Sequence, residues 1–300
     1  FSPENTFLEK PYPTIQFNGV SPVVDKIKHL SLYLVNIGEY QQRGYNYIIQ
    51  RLKGGHIGKY NNKMISTENI ESFGYTLLQQ PLEALNIIYP DERLETEDTP
   101  SFNSHDLIGG EGLKRMMTYE ENYLTHFRSD FDYKQDTIEK YGRIFSIDEI
   151  GKYSQKIKTI CDKIVISTGV VLVYSQYIDA GLIPIALALE ELGFSRAGNG
   201  KNLFSKNPPM KKHGLTYSLI TGDKGFSPNA EKEIKMATDD SNLNGKNVKV
   251  ILISQTGAEG LDLKFIRQVH ILEPWYNMSR IEQIIGRAVR TCSHKALSFS

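Results

Sequence analysis

Apolar positions in the second half of the chain follow two alternating periods. Val170-Val-Leu-Val-Tyr174 is a continuous apolar run of strand length. Leu215-Thr-Tyr-Ser-Leu-Ile220, Val248-Lys-Val-Ile-Leu-Ile-Ser254 and Gln268-Val-His-Ile-Leu272 repeat the pattern. Runs apolar on both faces imply strands of a parallel sheet covered by helices on each side. Helical spacing fills the intervals. Ser154–Ile166 places Ile157, Ile160, Cys161 and Ile164 on one face, and Ile178–Leu192 does the same with Ile178, Leu182, Ile185, Leu189 and Leu192 before a Gly193 C-cap. A third helix opens with Ser227 as cap and Pro228 in its first position, and runs to about Ala237. Such alternation predicts an open parallel α/β sheet whose ligands lie at the carboxyl ends of the strands. Ser175, Thr221, Ser254–Asp262 and Glu273–Asn277 all fall at such ends.

The first half is less regular. Residues 1–37 carry short extended pieces broken by prolines: Tyr12–Phe17, Val20–Val24 and a strand at Leu30–Ile37. Glu39–Lys53 reads as a helix with Tyr40, Tyr47, Ile48 and Leu52 in a stripe, broken by Gly54-Gly55. Gln79–Pro90 reads as a short helix running into an extended Ile87-Ile-Tyr-Pro90, and Asp91–Asp106 as a polar loop. Gly109-Gly-Glu-Gly-Leu113 has the glycines of a phosphate loop, but no Gly-Lys-Ser/Thr and no buried strand before it. It is better read as a turn opening a helix over Leu113–Met117. Residues 118–150 read as mostly helical or irregular, with Tyr119, Tyr123, Phe127, Phe131 and others interleaved with charge. Interleaved aromatics and bases can stack on single strands, but acids here are as frequent as bases, which favours an ordinary packed accessory region.

Three hundred residues allow one large domain or two ordinary ones. Lys+Arg and Asp+Glu both number 35, so no overall basic field exists, and any nucleic-acid contact must come from local patches. One such patch is Ser195–Gly214, which carries Arg196, Lys201, Lys206, Lys211 and Lys212 and no acid. It is either a solvated loop or a contact to a nucleic-acid backbone. Cys161 and Cys292 alone make no disulfide framework and suit a reducing, intracellular setting. Cys and His spacings suit no zinc site. No apolar run approaches the roughly 20 residues that span a bilayer. The opening Phe-Ser-Pro-Glu-Asn is neither a signal peptide nor an initiator methionine, so a fragment of a longer protein is expected.

The chemistry concentrates in Gln283-Ile-Ile-Gly286-Arg287-Ala-Val-Arg290. At about 100° per residue, Gln283, Arg287 and Arg290 share one helix face, while Ile281, Ile284, Ile285 and Ala288 share the other. Paired guanidiniums beside an amide match phosphate oxygens. A solvated amphipathic helix accounts for that pattern equally well when taken alone. The preceding run tips the balance: strand, glycine-bearing loop Gln255–Leu263 with Asp262 near its end, strand, turn Glu273–Asn277, arginine helix. That is a phosphate-site layout.

On these residues the segment resembles the second RecA-like domain of superfamily 2 helicases and translocases. Ser254–Leu263 looks like motif V, and Gln283–Arg290 fits the Q-x-x-G-R-x-x-R of motif VI. Val-Tyr-Ser-Gln-Tyr at 173–177 and Glu-Pro-Trp-Tyr-Asn at 273–277 are similar to the Snf2-like helicases of large cytoplasmic DNA viruses, among them poxvirus-type early transcription factor and nucleoside triphosphatase subunits. Gln41 followed by Tyr45 is a common start of the inter-domain segment in the family.

The resemblance implies a RecA-like open parallel sheet with helices on both faces, preceded by a mainly helical accessory region. The boundaries expected are 1–37 for the tail of an upstream motor domain, 38–152 for the accessory region, and 153–300 for the RecA-like domain with its last strands cut off. ATP and Mg2+ would sit between the two motor domains. The upstream domain would bring the phosphate loop and the magnesium ligands, so the chain is expected to be inactive alone and to hold no metal itself. Arg287 and Arg290 would be arginine fingers, and Gln283 would link the nucleotide to the interface. Gly260 and Gly286 would allow close approach to the nucleotide, and Asp262 would bond the ribose or couple to the fingers. Ser175, Thr221, Ser254 and Thr256 would meet phosphates of a tracked DNA or RNA strand.

Implied partners are nucleic acid, the upstream domain of the same polypeptide and viral transcription machinery, with no membrane. The compartment would be a cytoplasmic virus factory, and the virion. One departure stands out: Thr291-Cys-Ser-His follows the second arginine where Snf2 remodellers often place Gln, leaving strand unwinding and duplex translocation both open. A degenerate RecA-like module that binds nucleic acid or a transcription complex without ATPase activity is the alternative, and intact Gln283, Arg287 and Arg290 weigh against it. An unrelated α/β nucleotide-binding enzyme is weakened by the lack of Gly-x-Gly-x-x-Gly after any strand.

Overall fold

The accessory half begins with helix α1 (Glu39–His56), which is followed by α2 (residues 78–86), α3 (Glu92–Thr96) and α4 (Gly109–Met116). An antiparallel hairpin, β1 (Met117–Glu121) and β2 (Arg128–Tyr133), leads into α5 (Gln135–Tyr141) and α6 (Ile150–Tyr153). The computed structural model describes residues 33–56, 78–96, 102–121, 128–198, 200–206, 208, 214–222, 227–258, 260–273, 278–289, 293–295 and 297. Val35–Ser300 is one contact unit and Phe1–Leu34 another.

The second half alternates helix and strand: α7 (Gln155–Ile166), β3 (Val170–Tyr174), α8 (Ile183–Glu191), β4 (Ser195–Arg196), β5 (Thr216–Ile220), α9 (Ala230–Thr238), β6 (Val250–Ile253), α10 (Gln255–Ala258), β7 (Ile266–Ile271) and α11 (Met278–Ala288). The five strands form one parallel sheet in the order β4-β5-β6-β3-β7. Every residue of β3 and β6 is buried, as apolar runs without alternation require. Successive residues feed opposite cores. Val171, Val173, Val250 and Leu252 face α7, α8 and the accessory half, while Leu172, Tyr174, Ile251 and Ile253 join Ala237, Ile284 and Ala288 of α9 and α11. α8 is buried along its whole length, because the sheet and the accessory half enclose it.

Local chemistry explains several departures from the sequence expectation. The described part of the expected strand Leu30–Ile37 has no strand, and Tyr33 and Leu34 are exposed. Residues 118–150 are mostly helical or irregular among the described residues, but they also carry the β1–β2 hairpin, which was not expected, with Ser129, Phe131 and Tyr133 on its buried side. Phe131 extends the pairing by donating its N–H to the Leu203 carbonyl at 2.8 Å and accepting from Ser205 N–H at 2.9 Å. The helix expected over Ile178–Leu192 splits into a π turn, Ile178–Leu182, and α8. Pro184 has no N–H and its ring crowds the carbonyl four residues earlier, so a single α-helix cannot run through it. Ser227 does not cap α9, which starts at Ala230. Its hydroxyl instead donates to the Leu219 carbonyl at 2.5 Å and accepts the Thr221 N–H at 2.9 Å. The glycine run opens α4 directly at Gly109, four residues before the expected helix.

Candidate functional site

The strand order sets the order of the loops at the carboxyl edge of the sheet: Thr221 after β5, Ser254 after β6, Ser175 after β3, Glu273 after β7. The first two are laced together. Ser254 Oγ donates to the Thr221 carbonyl at 2.6 Å and accepts the Gly257 N–H at 3.1 Å, so it closes the first turn of α10 against the end of β5. Gly257 is required there, because a Cβ would fall 2.1 Å from the Ile220 carbonyl oxygen. Gly222, at φ +74°, leaves the Thr256 methyl the space that a Cβ would take. Thr221 and Ser254 are buried, whereas Thr256 faces solvent.

Ser175 is fully buried. Its hydroxyl donates to Glu273 Oε1 at 2.7 Å and accepts the Tyr177 N–H at 3.1 Å. Glu273, also buried, accepts the Gln176 N–H at 3.0 Å on its other oxygen and the Asn86 side-chain amide on Oε1. Asn86 ends α2 in the accessory half. Its side-chain oxygen accepts from Lys156 Nζ at 3.2 Å, and that ammonium also donates to the Leu272 carbonyl at 3.0 Å. Burial drives the Glu273 carboxyl above and the Lys156 ammonium below their ordinary values, with each partly offset by the other's charge. Ser154 Oγ caps α7 through the Ile157 N–H and also donates to the Asn86 carbonyl. Gln41 donates to the Ala84 and Leu85 carbonyls at 3.0 and 3.1 Å and accepts the Gln155 N–H at 3.2 Å. Asn86 and Lys156 carried no recognisable mark in the sequence, and Glu273 stood out only as the start of the turn after β7, since their partners are remote in the chain.

α11 has the two faces expected. Ile281, Ile284 and Ala288 are buried in the core against β7 and the residues around it, while Ile285 is half-buried. Gln283 and Gly286 are exposed and Arg287 half-buried. Among the described residues, neither Gln283 nor Arg287 has a hydrogen-bond or ion-pair partner. A Cβ on Gly286 would meet nothing within 4 Å. The helix exit is tied down: Phe265 N–H donates to the Ser293 carbonyl at 3.2 Å, and His294 Nε2 lies 2.8 Å from the Ile266 carbonyl. The arginine end of α11 therefore lies toward the start of β7, while Thr221, Ser254 and Ser175 lie at the opposite ends of the strands. Arg290 falls outside the described residues. Gly260, at φ +75°, and Asp262 are exposed on the connection from α10 to β7.

The basic loop is partly neutralised from within. Arg196 is buried against Glu233 at 3.0 Å, and Lys201 pairs with Asp130. Lys206 is exposed, and Lys211 and Lys212 lie outside the described residues. The glycines at 109–110 meet carboxylates: a Cβ at Gly109 would sit 2.9 Å from Glu83 Oε2, and one at Gly110 2.9 Å from Asp179 Oδ2. Among the described residues no group of three or more His, Cys, Asp and Glu could hold a metal, and no helix is long and apolar enough to cross a membrane.

Comparison with known proteins identifies the arginine-helix half. Residues 155–292, from α7 to just beyond α11, match the family model of the helicase conserved C-terminal domain. The chain is 35% identical over 170 residues to the termination factor NPH-I homolog of African swine fever virus, covering 48% of this chain and 24% of that protein. It is 37% identical over 151 residues to a candidate ATP-dependent RNA helicase of Acanthamoeba polyphaga mimivirus, covering 50% of this chain and 24% of that one. The chain thus spans about a quarter of the length of these curated relatives. The C-terminal part of the Fun30 ATPase domain shares the fold, at a TM-score of 0.51 and 13% identity, over 89% of this chain and 82% of that one. The arginine-helix half thus has the five-stranded parallel sheet flanked by helices that its sequence predicted.

Proposed function

We propose that this chain is the C-terminal half of an ATP-dependent nucleic-acid helicase or translocase that serves transcription in a large DNA virus. One observation carries the reading. The face of α11 turned from the core presents Gln283, Gly286 and Arg287, and the described part of the chain gives them nothing to bind. A half-buried guanidinium without a partner and a helical glycine opening on free space fit a phosphate-bearing ligand brought by another domain. The viral relatives support the transcriptional setting.

The upstream RecA-like domain of the same polypeptide brings the phosphate loop and the magnesium carboxylates, so this chain alone hydrolyses no ATP. ATP bound between the domains supplies the phosphoryl group that passes to water. Arg287 and Arg290 stabilise the charge that builds on the phosphoryl oxygens, a contribution of roughly 10³–10⁵ in rate for an arginine finger. Gln283 links the nucleotide to the interface, Gly260 and Gly286 give it room, and Asp262 bonds the ribose. Along the carboxyl edge of the sheet, Thr256 and the loop amides around it contact the phosphates of the tracked strand without reading sequence. Thr221, Ser254 and Ser175 hold those loops from inside. Closure and opening of the two domains step the protein along the strand.

The test uses the full-length protein. ATP hydrolysis is measured with and without single- and double-stranded DNA and RNA, in wild type, Arg287→Ala and Arg290→Ala. Hydrolysis stimulated by one polymer and lowered at least about 10³-fold in both variants is the expected result. A protein that binds nucleic acid but never hydrolyses ATP, with or without these arginines, overturns the motor reading in favour of a binding module.

A further inference from the structure

The buried polar cluster around Glu273 has more partners than a strand end needs. Four segments meet there: Asn86 from α2, Lys156 from α7, Ser175 and Gln176 after β3, and Leu272 and Glu273 after β7. Each Glu273 oxygen is filled by donors. Oε1 takes Ser175 Oγ and the Asn86 amide, and Oε2 takes the Gln176 N–H. A charge placed at 2% exposure is costly unless it is paired and hydrogen-bonded, and losing one partner costs far more than the mean strength of a hydrogen bond. The cluster therefore has one arrangement of low energy. That arrangement fixes Leu272 and Glu273, the first two residues after β7 on the way to α11, and it does so partly through a residue of the accessory half.

We propose that Glu273, locked by Asn86, Ser175 and Lys156, is a positioning residue that sets the aim of the arginine helix, so that the accessory half takes part in catalysis without touching the nucleotide. The proposal rests on the motor reading above. It also accounts for Ser175, whose hydroxyl is held by Glu273 rather than by a nucleic-acid phosphate. Gly181 is part of the same fit, because a Cβ there would fall 2.1 Å from Ser175 Oγ.

The geometry selects the variants. Glu273→Gln keeps the size but turns one acceptor into a donor. The new amide faces either the Gln176 N–H or the Ser175 and Asn86 donors, so at least one contact becomes repulsive. Asn86→Ala removes the accessory-half contact and leaves the sheet residues in place. Ser175→Ala removes one donor with little change in volume.

In the full-length protein, nucleic-acid-stimulated ATPase should fall roughly tenfold or more in kcat for Glu273→Gln, with KM for ATP and nucleic-acid affinity within about twofold. Asn86→Ala and Ser175→Ala should shift kcat in the same direction by less. The deciding readout is a double-mutant cycle with Arg287→Ala, measured with enzyme in excess so that the residual rate can be read. If Glu273 acts through the arginine helix, Glu273→Gln costs little further once Arg287 is gone. Equal fold-losses in both backgrounds mean a general loss of folded protein and overturn the proposal. Should Glu273→Gln not fold, the same cycle with Asn86→Ala decides. Ser175→Ala that weakens nucleic-acid binding with kcat unchanged also overturns it. If Arg287→Ala alone leaves hydrolysis unchanged, the motor reading fails and this inference goes with it. If Arg287→Ala abolishes hydrolysis while Glu273→Gln and Asn86→Ala do not lower it, only this inference fails.

Discussion

Two glycine-bearing helices in this molecule use the same residue for opposite ends. In α4 the glycines are there because the protein fills the space. A Cβ on Gly112 would fall 2.3 Å from Cδ2 of Tyr89, and those on Gly109 and Gly110 would press on Glu83 and Asp179. In α11 a Cβ on Gly286 would meet nothing within 4 Å. Glycine inside a helix costs about 1 kcal/mol relative to alanine. In α4 that cost is offset by the packing of Tyr89, whose side chain is fully buried. In α11 the described chain offers no such compensation. The accessory side of the sheet is saturated with its own contacts, whereas among the described residues the outer face of α11 is left open.

The saturated side is tested most severely at Glu190. This carboxylate, buried at the end of α8, accepts the Leu203 and Phe204 N–H groups at 2.7 and 2.9 Å and the Tyr217 hydroxyl at 2.6 Å. Burial outweighs these donors and pushes its carboxyl up from 4.5 to about 7. Between those values the folded protein holds a proton that the unfolded chain has released. Stability therefore falls as pH rises through that window, by on the order of 3 kcal/mol. Burial raises Glu83, Glu233 and Glu273 as well, which adds in the same direction. Denaturant midpoints followed from pH 4.5 to 7.5 should decline, and Glu190→Gln should flatten part of that decline. A wild-type midpoint that rises with pH would break the picture of a saturated side.

Gly112→Ala comes next. Forcing a methyl into the Tyr89 ring should cost about 2 kcal/mol, read as a lowered unfolding midpoint. No loss would mean that Tyr89 gives way and that the accessory side is no tighter than α11. The smallest effect sharpens the comparison most. Gly286→Ala should stabilise this chain by up to about 1 kcal/mol while lowering ATP hydrolysis in the full-length protein. A stabilised variant with unchanged hydrolysis would remove the external demand on that position.

The sheet and α11 were legible in the sequence because their information is local. Val170–Tyr174 shows its burial in five consecutive residues, and Ile281, Ile284 and Ala288 show a helix face by spacing alone. What was not legible depends on partners distant in the chain. Arg196 and Lys201 looked like a basic surface until the fold brought Glu233 and Asp130 to them. Ser175 looked like a hydroxyl at a ligand-binding edge, and only the position of Glu273 shows where that hydroxyl turns. The β1–β2 hairpin escaped notice for a related reason. Thr118, Glu120, Asp130 and Asp132 make its strands look like loop, and part of the apolar cover for Tyr133 comes from elsewhere, with Phe204 packed on the Tyr133 ring at 5.6 Å between centroids.

The order of the strands bears on how such a chain is made. β3 is buried throughout and sits between β6 and β7, with Val171 opposite Val250 on one side and Gln268 on the other. Both neighbours leave the ribosome long after β3 does. At roughly 5–20 residues per second, the central strand waits for seconds with both edges unpaired. Unpaired apolar edges invite pairing with other chains, and non-local parallel pairing is slow to form. Newly made copies therefore keep an unpaired apolar edge until β7 has emerged, longer than a chain whose strands pair in the order they are made.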